Sequence, residues 1–327
     1  MKILVTGGAG YVGSHTVKEL ARRGYDIVVY DNLSRGHRWA ARWGELVVGE
    51  LADGARLREV LAGQNIAAVL HFAALAYVGE SVADPKRYYE NNVANTLSLL
   101  NAMLAEKVNR FILSSTCAVY GNPREIPMTE EHPLAPVNPY GRTKLMVETI
   151  LKDYDESYGM RHVNLRYFNA AGADPDGELG EDHDPETHLI PRVLMAAAGR
   201  LERVEVFGGD YPTEDGTCVR DYVHVSDLAT AHVLALEWLV QGGASETFNL
   251  GTGQGYTVMQ VLERARRITG RPIPAVISAR RPGDPAVLLA SNEKAARVLG
   301  WKPRCRSLDE IIASAWSWHQ KPRPRVA

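Results

Sequence analysis

Cysteine is scarce in the 327-residue sequence, and the three that occur, Cys117, Cys218 and Cys305, are widely separated. This number excludes a disulfide framework or a cysteine-ligated zinc cluster, and it is typical of a reducing cytoplasm. An excess of charge of one sign is also lacking, because 37 basic residues face 39 acidic ones. Nucleic-acid-binding proteins usually carry a basic stripe, so we expect no nucleic-acid partner.

Long apolar runs are absent as well. No stretch approaches the roughly 18 apolar residues of a membrane-spanning helix, so we expect no membrane association. The apolar run at residues 3–5 is too short for a signal peptide before Gly7 interrupts it. Hydrophobic residues form 45% of the sequence and charged residues 23%, a balance that excludes disorder for most of the chain. Composition thus predicts a cytoplasmic globular protein, but it does not indicate which reaction or ligand is involved.

Short apolar runs alternate with segments of helical period in the first half of the sequence. Runs apolar at successive positions are typical of strands covered on both faces of a parallel sheet. The predicted strands lie at 3–5, 27–30, 67–70, 111–113 and 162–166, and the predicted helices at 15–23, 92–107 and 140–158. This order predicts an α/β fold with a Rossmann-type doubly wound parallel sheet.

The pattern changes after about residue 170. Residues 172–187 are crowded with Gly, Asp, Glu and Pro, which predicts a long functional or mobile loop. Helical segments at 189–200, 227–241 and 258–270 and short strands at 205–207 and 247–250 follow. We therefore expect a dinucleotide-binding domain over 1–170 and a smaller mixed α/β substrate domain over 171–327, with segments such as 221–250 packing back on the first.

A glycine-rich turn follows the first predicted strand and opens the first predicted helix. Gly7, Gly10 and Gly13 permit a tight turn and let backbone N–H groups approach a pyrophosphate at the helix N-terminus. Such turns are common, but here an acidic residue, Asp31, ends the second predicted strand, as dinucleotide binding requires.

Asp31 indicates which dinucleotide is bound. Its carboxylate can accept hydrogen bonds from the adenosine ribose hydroxyls and would repel a 2′-phosphate, so we expect NAD rather than NADP. Asp31 as a simple turn residue is the alternative. Arg35 and Arg38 nearby could soften the discrimination against NADP.

Tyr140 and Lys144 are four residues apart and therefore neighbours on one helix face. An adjacent ammonium favours the phenolate, which would lower the tyrosine pKa and make Tyr140 a general base. Such a pair is often only an exposed helix face. However, Thr116 lies just after the fourth predicted strand, where cofactors of these sheets bind, and its hydroxyl could pass a substrate proton to Tyr140.

These three elements resemble the extended short-chain dehydrogenase/reductase family over nearly the whole chain. The segments that are most similar to its UDP-hexose 4-epimerases lie at 71–74, 78–81, 88–93, 167–169 and, most distinctively, DYPTEDGTCVRDYVH at 210–224. Dehydratases of the family carry Asp-Glu after the threonine that matches Thr116, and decarboxylases keep the glutamate. Cys117 and Ala118 stand there instead, so we expect plain redox epimerisation without elimination.

The resemblance implies a set of site residues. The catalytic residues that it implies are Thr116, Tyr140 and Lys144. Tightly bound NAD+ would contact Gly7, Gly10, Tyr11, Val12, Gly13, Asp31, Asn32, Glu50, Leu51, Phe72, Ala73, Ala74, Asn91, Ser114, Tyr140, Lys144 and Tyr167. The UDP-sugar would contact Thr116, Tyr140, Asn169, His188, Leu189, Phe207, Arg220, Arg281, Asp284 and Leu288. Arg281 as a solvated basic turn and Phe207 as a core residue are the alternatives for those two positions.

The implied activity is interconversion of UDP-galactose and UDP-glucose by transient oxidation at C4, rotation of the ketopyranose and re-reduction. A 4-epimerase of UDP-pentoses or UDP-uronic acids, or a non-catalytic sensor of NAD or sugar nucleotide, is the alternative. The resemblance also implies a homodimer through the helices at 92–107 and 140–158.

Four positions depart from the family pattern. Ala76 replaces a lysine that reaches the nicotinamide ribose, and Glu50 replaces an aspartate near the adenine. His188 stands where asparagine is frequent in the sugar pocket. Leu288 replaces a tyrosine that in some members guards the C2 substituent, so we expect that UDP-GalNAc and UDP-GlcNAc are also interconverted.

We expect the remaining histidines and Cys117 to have structural rather than chemical roles. His183 and His188 lie five residues apart with no third ligand at a metal-binding spacing, so we predict no metal. We expect a structural role for His15 and His224. Cys117 lacks an evident base and is predicted to be a buried inert thiol.

Overall fold

The computed structural model describes residues 1–281 and 283–321. Within them, the main sheet contains β1 (Lys2–Thr6), β2 (Asp26–Asp31), β3 (Glu45–Val48), β4 (Ile66–His71), β5 (Arg110–Ser114), β6 (Arg161–Tyr167) and β10 (Glu246–Leu250). The strands pair in the order β10-β6-β5-β4-β1-β2-β3, and every pair is parallel. The predicted doubly wound parallel sheet is confirmed.

Helices cover both faces of this sheet. They are α1 (Tyr11–Arg22) and α8 (Val225–Val240) on one face, and α2 (Gly54–Gly63), α5 (Asn95–Ala105) and α6 (Pro139–Tyr158) on the other. In β1, Ile3 and Val5 belong to the core beneath α1 and α8, whereas Leu4 belongs to the opposite core. Because both faces are buried, the strands are apolar at consecutive positions.

A smaller unit lies beside the carboxyl ends of the strands. Its strands and helices are β7 (Asn169–Ala171), β8 (Val204–Phe207), β9 (Val219–His224), β11 (Gly255–Thr257), β12 (Ala275–Ser278), β13 (Val287–Leu288), α7 (Leu189–Ala197), α9 (Val258–Thr269) and α11 (Leu308–Gln320). Strand β9 pairs with β7, β11 and β13, and β8 pairs with β12. The three helices share one apolar core with β7, β8, β9 and β11.

The chain returns to the first sheet after β9. Helix α8 packs on α1, strand β10 extends the seven-stranded sheet next to β6, and α10 (Glu293–Val298) packs on β10. The buried indole of Trp301 donates a hydrogen bond to the Asp227 carbonyl at 2.9 Å and joins the same core. Residues from both halves of the sequence therefore build the main sheet.

Several short elements were not predicted from the sequence. They are β3, helices α3 (Val78–Ala83) and α4 (Pro85–Tyr89), the 3₁₀ turns at Arg38–Ala41 and Cys117–Val119, and the small strands around β9. The predicted helix at 92–107 is interrupted by a π turn at Glu90–Ala94. The buried amide of Asn92 in this turn hydrogen-bonds both the N–H and the C=O of Leu75, at 2.8 and 3.0 Å. These hydrogen bonds tie the π turn to the loop that follows β4.

Within the described residues, no helix combines the length and the apolar character required to cross a membrane.

Helix α6 is fixed at both ends and along its buried face. The Asn138 side chain accepts a hydrogen bond from the Gly141 N–H at 2.9 Å, which caps the N-terminus, and Gly159 ends the helix with φ +68°. In between, the Glu148 carboxylate accepts a hydrogen bond from Arg166 Nε on β6 at 3.0 Å, and both side chains are at most 5% exposed. These contacts set the position of the Tyr140 end of α6 relative to the sheet.

We predict that Glu148→Gln lowers the free energy of unfolding by about 3–5 kcal/mol, because it leaves the buried guanidinium of Arg166 without a counter-charge. Glu156→Gln is the matched control, since Glu156 is exposed on the same helix and 3.9 Å from Lys152. That change should cost less than about 1 kcal/mol. Urea denaturation measures both, and equal losses would contradict the structural role of the buried pair.

Candidate active site

One large cavity opens along the carboxyl edge of the main sheet. It is bounded by the ends of β1, β2, β4, β5 and β6 and, across from them, by the smaller unit. Its volume is about 1160 Å³, above the range of roughly 300–1,000 Å³ that accommodates one small ligand. The cavity therefore has room for a dinucleotide together with a second nucleotide.

Every residue that the resemblance assigned to cofactor or substrate lines this cavity. These residues come from the first strand-helix turn, from the loops after β2, β3, β4 and β5, from α6 and from the smaller unit. The fold thus brings together residues that are up to 281 positions apart, from Gly7 to Leu288.

The turn between β1 and α1 has the form of a pyrophosphate cradle. Gly7 has φ +72°, and a Cβ there would lie 2.5 Å from the Ala73 backbone nitrogen. A Cβ on Gly13 would lie 2.3 Å from the Gly7 carbonyl oxygen. No side chain caps the start of α1, where Gly10 is the N-cap. Because the first N–H groups of a helix lack intrahelical partners, this end suits a phosphate, and the residues present fit NAD.

Asp31 lies at the end of β2 at the edge of the same cavity. Its two carboxylate oxygens accept hydrogen bonds from the backbone N–H groups of Ala9 and Leu33, at 3.0 and 2.8 Å. Asp31 therefore stabilises the turn, as the alternative interpretation of this residue expected. Burial raises the pKa of its carboxyl group. Each oxygen retains a second lone pair for a ribose hydroxyl.

Next to Asp31, the Asn32 amide donates hydrogen bonds to the Glu50 carboxylate at 3.0 and 3.2 Å, and both residues line the cavity. Arg35 donates to the Glu80 carboxylate at 3.0 Å and to the Asp184 carbonyl at 2.8 Å.

Tyr140 and Thr116 face each other at the end of β5. Burial raises the pKa of Tyr140 to about 12, and a hydrogen bond with Thr116 acts in the opposite direction. The Thr116 hydroxyl oxygen also accepts a hydrogen bond from the Ala118 N–H at 3.1 Å. That contact leaves the hydroxyl proton free to point at Tyr140.

Lys144 lies one turn further along α6 and is buried. Its ammonium donates to the Ser114 carbonyl at 2.8 Å, and burial lowers its pKa to about 8 despite the attraction of Glu148. The net effect on Tyr140 is a raised pKa, and the nearby Lys144 does not reverse it. The predicted lowering of the Tyr140 pKa by Lys144 is therefore wrong for the protein alone, since burial of the phenol outweighs other influences.

Cationic and aromatic side chains of the smaller unit gather at the other end of the cavity. Arg220 forms an ion pair with Asp284 and donates a hydrogen bond to the Pro285 carbonyl at 3.0 Å. The Arg281 guanidinium lies 4.0 Å from the centre of the Phe207 ring. This arrangement offers forked N–H donors and one aromatic face, which suits a nucleoside diphosphate.

The loop before α7 differs from its sequence interpretation. His183 and His188 were expected to have no further ligands nearby, and that expectation is wrong, because Glu181 and Glu186 turn toward both imidazoles. Burial alone would lower the pKa of the two histidines, but the facing carboxylates raise it above its ordinary value. His15 and His224 make structural contacts: His15 bonds the Tyr11 carbonyl, and His224 accepts from the Ser226 N–H at the start of α8.

Sequence reasoning missed Tyr77, which lines the cavity after β4. The Tyr77 hydroxyl is buried and has no hydrogen-bond partner within the described residues. Its ring stands between the guanidinium of Arg35 and the imidazoles of His183 and His188. The only signal in the sequence was its position in the loop that follows a predicted parallel strand.

The sequence matches the profile of the NAD dependent epimerase/dehydratase family over residues 3–251. A UDP-glucose 4-epimerase of Rhizobium leguminosarum bv. trifolii is 56% identical over 98% of this chain and 97% of its own length. Among solved structures, UDP-glucose 4-epimerase from Brucella ovis in complex with NAD has a TM-score of 0.95 at 55% identity, covering 96% of this chain and 97% of that one. The enzyme from Bifidobacterium longum in complex with NAD+ and UDP has a TM-score of 0.93 at 42% identity, covering 98% of both chains.

We predict that Gly13→Ala lowers the affinity for NAD by more than about tenfold, or about 1.4 kcal/mol, because the new methyl group collides with the Gly7 carbonyl. Gly54→Ala is the control, since a Cβ there meets no atom within 4 Å. The readout is the dinucleotide that remains bound after gel filtration. Undiminished retention by the Gly13 variant would contradict the pyrophosphate cradle.

Proposed function

Because the chain belongs to the NAD dependent epimerase/dehydratase family, we propose that it interconverts UDP-galactose and UDP-glucose by transient oxidation at C4. The observation that carries this proposal is the meeting of Thr116, Tyr140 and Lys144 in a cavity with room for two nucleotides. Relatives with this activity match the chain over nearly its whole length.

The surroundings of Thr116 favour epimerisation over elimination. Cys117 is buried, and burial raises its thiol pKa well above the ordinary value, so it is neither an acid nor a nucleophile at neutral pH. Ala118 carries no functional group. Elimination of water needs an acid and a base next to the sugar, whereas reversible oxidation at C4 needs only one base for the 4-hydroxyl.

Thr116 and Tyr140 carry the proton. The Thr116 hydroxyl hydrogen-bonds the sugar 4-hydroxyl. Tyr140 accepts the proton of that hydroxyl and returns it to the same oxygen, O4, after the ring has turned its opposite face. NAD+ held in this cavity would supply the hydride acceptor for C4 and, as NADH, the hydride donor for re-reduction. The positive charge of NAD+ would favour the Tyr140 phenolate and oppose the effect of burial. Lys144 holds the end of β5 through Ser114 and can hydrogen-bond a ribose hydroxyl.

The sugar ring has to present its opposite face to the cofactor between the two hydride transfers. Arg220, Arg281 and Asp284 hold the diphosphate and uridine ribose, and Phe207 lies against the uracil. Asn169 is positioned by the hydrogen bond that its amide donates to the Asp221 carbonyl, at 2.9 Å. Strong contacts to the UDP part leave the hexose free to rotate about its bond to the β-phosphate.

The primary test uses protein as purified, with UDP-galactose and no added NAD, and follows UDP-glucose in a coupled assay. Conversion is the expected result, because the cofactor stays bound between turnovers. Tyr140→Phe should reduce kcat by at least about 100-fold, the usual range for loss of a general base, while bound NAD is unchanged.

Tyr154→Phe is the matched control, because Tyr154 lies on the same helix and its hydroxyl bonds Asn101 at the surface. This variant should keep full activity. A Tyr140→Phe enzyme with normal turnover would contradict the assigned base. Absence of conversion by the unmodified protein, even with added NAD, would instead favour another nucleotide sugar as substrate.

The proposal includes N-acetylated substrates. Leu288 lines the cavity on β13 and packs on the small core around Cys117, where a tyrosine would occupy more of the pocket. We predict that the unmodified protein turns over UDP-GlcNAc. Leu288→Tyr should reduce this turnover by at least about tenfold and should retain turnover of UDP-galactose. Leu288→Met is the control variant, because it changes the residue without adding the bulk of a tyrosine ring. No UDP-GlcNAc turnover by an enzyme active on UDP-galactose would overturn this specificity.

We also propose that the protein is a cytoplasmic homodimer. All three cysteines are free thiols in this structure, as is typical of a reducing compartment. The outer face of α6 leaves the apolar side chain of Met146 exposed, which a partner helix would cover. Light scattering in solution measures the oligomeric state, and a monomer would contradict this part of the proposal.

A further inference from the structure

Four side chains converge on one point in the loop that precedes α7. Glu181, His183, Glu186 and His188 each direct one potential ligand atom to this point, and the four atoms all lie within 4.8 Å of one another. The Glu181 and Glu186 side chains are only 6% and 7% exposed. Nothing in the proposed epimerase mechanism requires Glu181, His183 or Glu186.

The distances within this cluster suit a tetrahedral metal centre. His188 Nδ1 lies 2.8 Å from a Glu181 oxygen and 2.9 Å from a Glu186 oxygen, and His183 Nδ1 lies 3.1 and 3.6 Å from oxygens of the same two carboxylates. Metal–ligand bonds of roughly 2.0–2.2 Å place tetrahedral donors about 3.3–3.6 Å apart. Each of these four nitrogen–oxygen separations is within about 0.5 Å of that range, and the two separations from Glu186 are to different oxygens of its carboxylate.

The donor set selects the class of ion. Imidazole nitrogen together with carboxylate oxygen suits Zn²⁺ and its first-row neighbours, whereas Ca²⁺ and Mg²⁺ prefer oxygen alone. Two carboxylates also match the charge of a divalent cation once both imidazoles are neutral. The ring centres of Tyr11 and Tyr77 lie 6.1 and 6.0 Å from the ring centre of His183, so both aromatic rings pack against this ligand.

The neighbouring acidic cluster makes a useful contrast. Asp174, Asp176 and Glu178 also lie close together, but the Lys18 ammonium contacts all three at 2.7–2.8 Å. A cationic side chain of the protein therefore already occupies that position. At the Glu181 cluster, the ion pairs that the two carboxylates form with other described residues involve only histidines, which are themselves metal ligands.

We propose that Glu181, His183, Glu186 and His188 form a binding site for a divalent ion of the zinc class. The ion ties the loop together directly before α7 and holds the imidazole of His188 at the wall of the cavity. Its ligands include neither the base Tyr140 nor a residue assigned to NAD, and only His188 is shared with the residues assigned to the UDP-sugar, so metal binding is measured separately from turnover.

Cobalt(II) is the probe, added to the purified protein that retains its cofactor. We expect one equivalent per chain to bind and to give the intense visible bands of a tetrahedral centre, and Zn²⁺ to displace it. Binding should release protons in weakly buffered solution, because imidazoles must be neutral to ligate a metal. His183→Gln and Glu186→Gln should each weaken binding by at least about tenfold.

Asp184→Asn is the matched control, since Asp184 lies exposed in the same loop outside the cluster. It should bind cobalt like the unmodified protein. Retained NAD and an unchanged unfolding midpoint show that each variant is folded. Equal binding by the cluster variants and the unmodified protein would overturn the proposal, and so would the absence of a saturable tetrahedral spectrum.

Discussion

The arrangement of the site depends on the way helix α6 is held against the end of strand β5. Two buried charged side chains do this: Lys144 donates to the Ser114 carbonyl, and Glu148 pairs with Arg166 on the adjacent strand. An unpaired charge in the core is strongly unfavourable, so these groups permit very few positions of the helix. Because Tyr140 lies one turn before Lys144, the same contacts place the phenol opposite Thr116.

The parallel sheet supplies the rest of the geometry. All seven strands run in one direction, so the loops after their carboxyl ends open on one edge. The glycine turn, Asp31 and Thr116 follow three different strands and yet line one cavity. The smaller unit places Arg220, Arg281 and Phe207 across from that edge, where we propose that they hold the UDP moiety.

The main sheet and the proximity of Tyr140 to Lys144 could be predicted because they follow repeating local rules. Strands buried on both faces are continuously apolar, and residues four apart meet on a helix. The π turn at Glu90–Ala94 could not be predicted, because the hydrogen bonds of Asn92 to Leu75 come from another part of the chain. The cluster around Glu181 was missed for a similar reason: irregular loop backbone brings its side chains together, and no periodicity marks it.

The pKa of Tyr140 shows a different limit of sequence reasoning. The spacing to Lys144 indicates proximity, but it does not indicate that the ammonium is engaged by Ser114 or that burial of the phenol prevails. The sign of a pKa shift depends on burial and hydrogen bonding together, and both require the structure.

The measurement that tests the account most directly is the fate of deuterium at C4. The protein as purified is incubated with UDP-galactose deuterated at C4, without added NAD, and the UDP-glucose formed is examined by mass spectrometry and NMR. Oxidation and re-reduction by a cofactor that stays bound predicts that the deuterium remains at C4. Its exchange with solvent hydrogen would contradict that account and indicate inversion by proton abstraction.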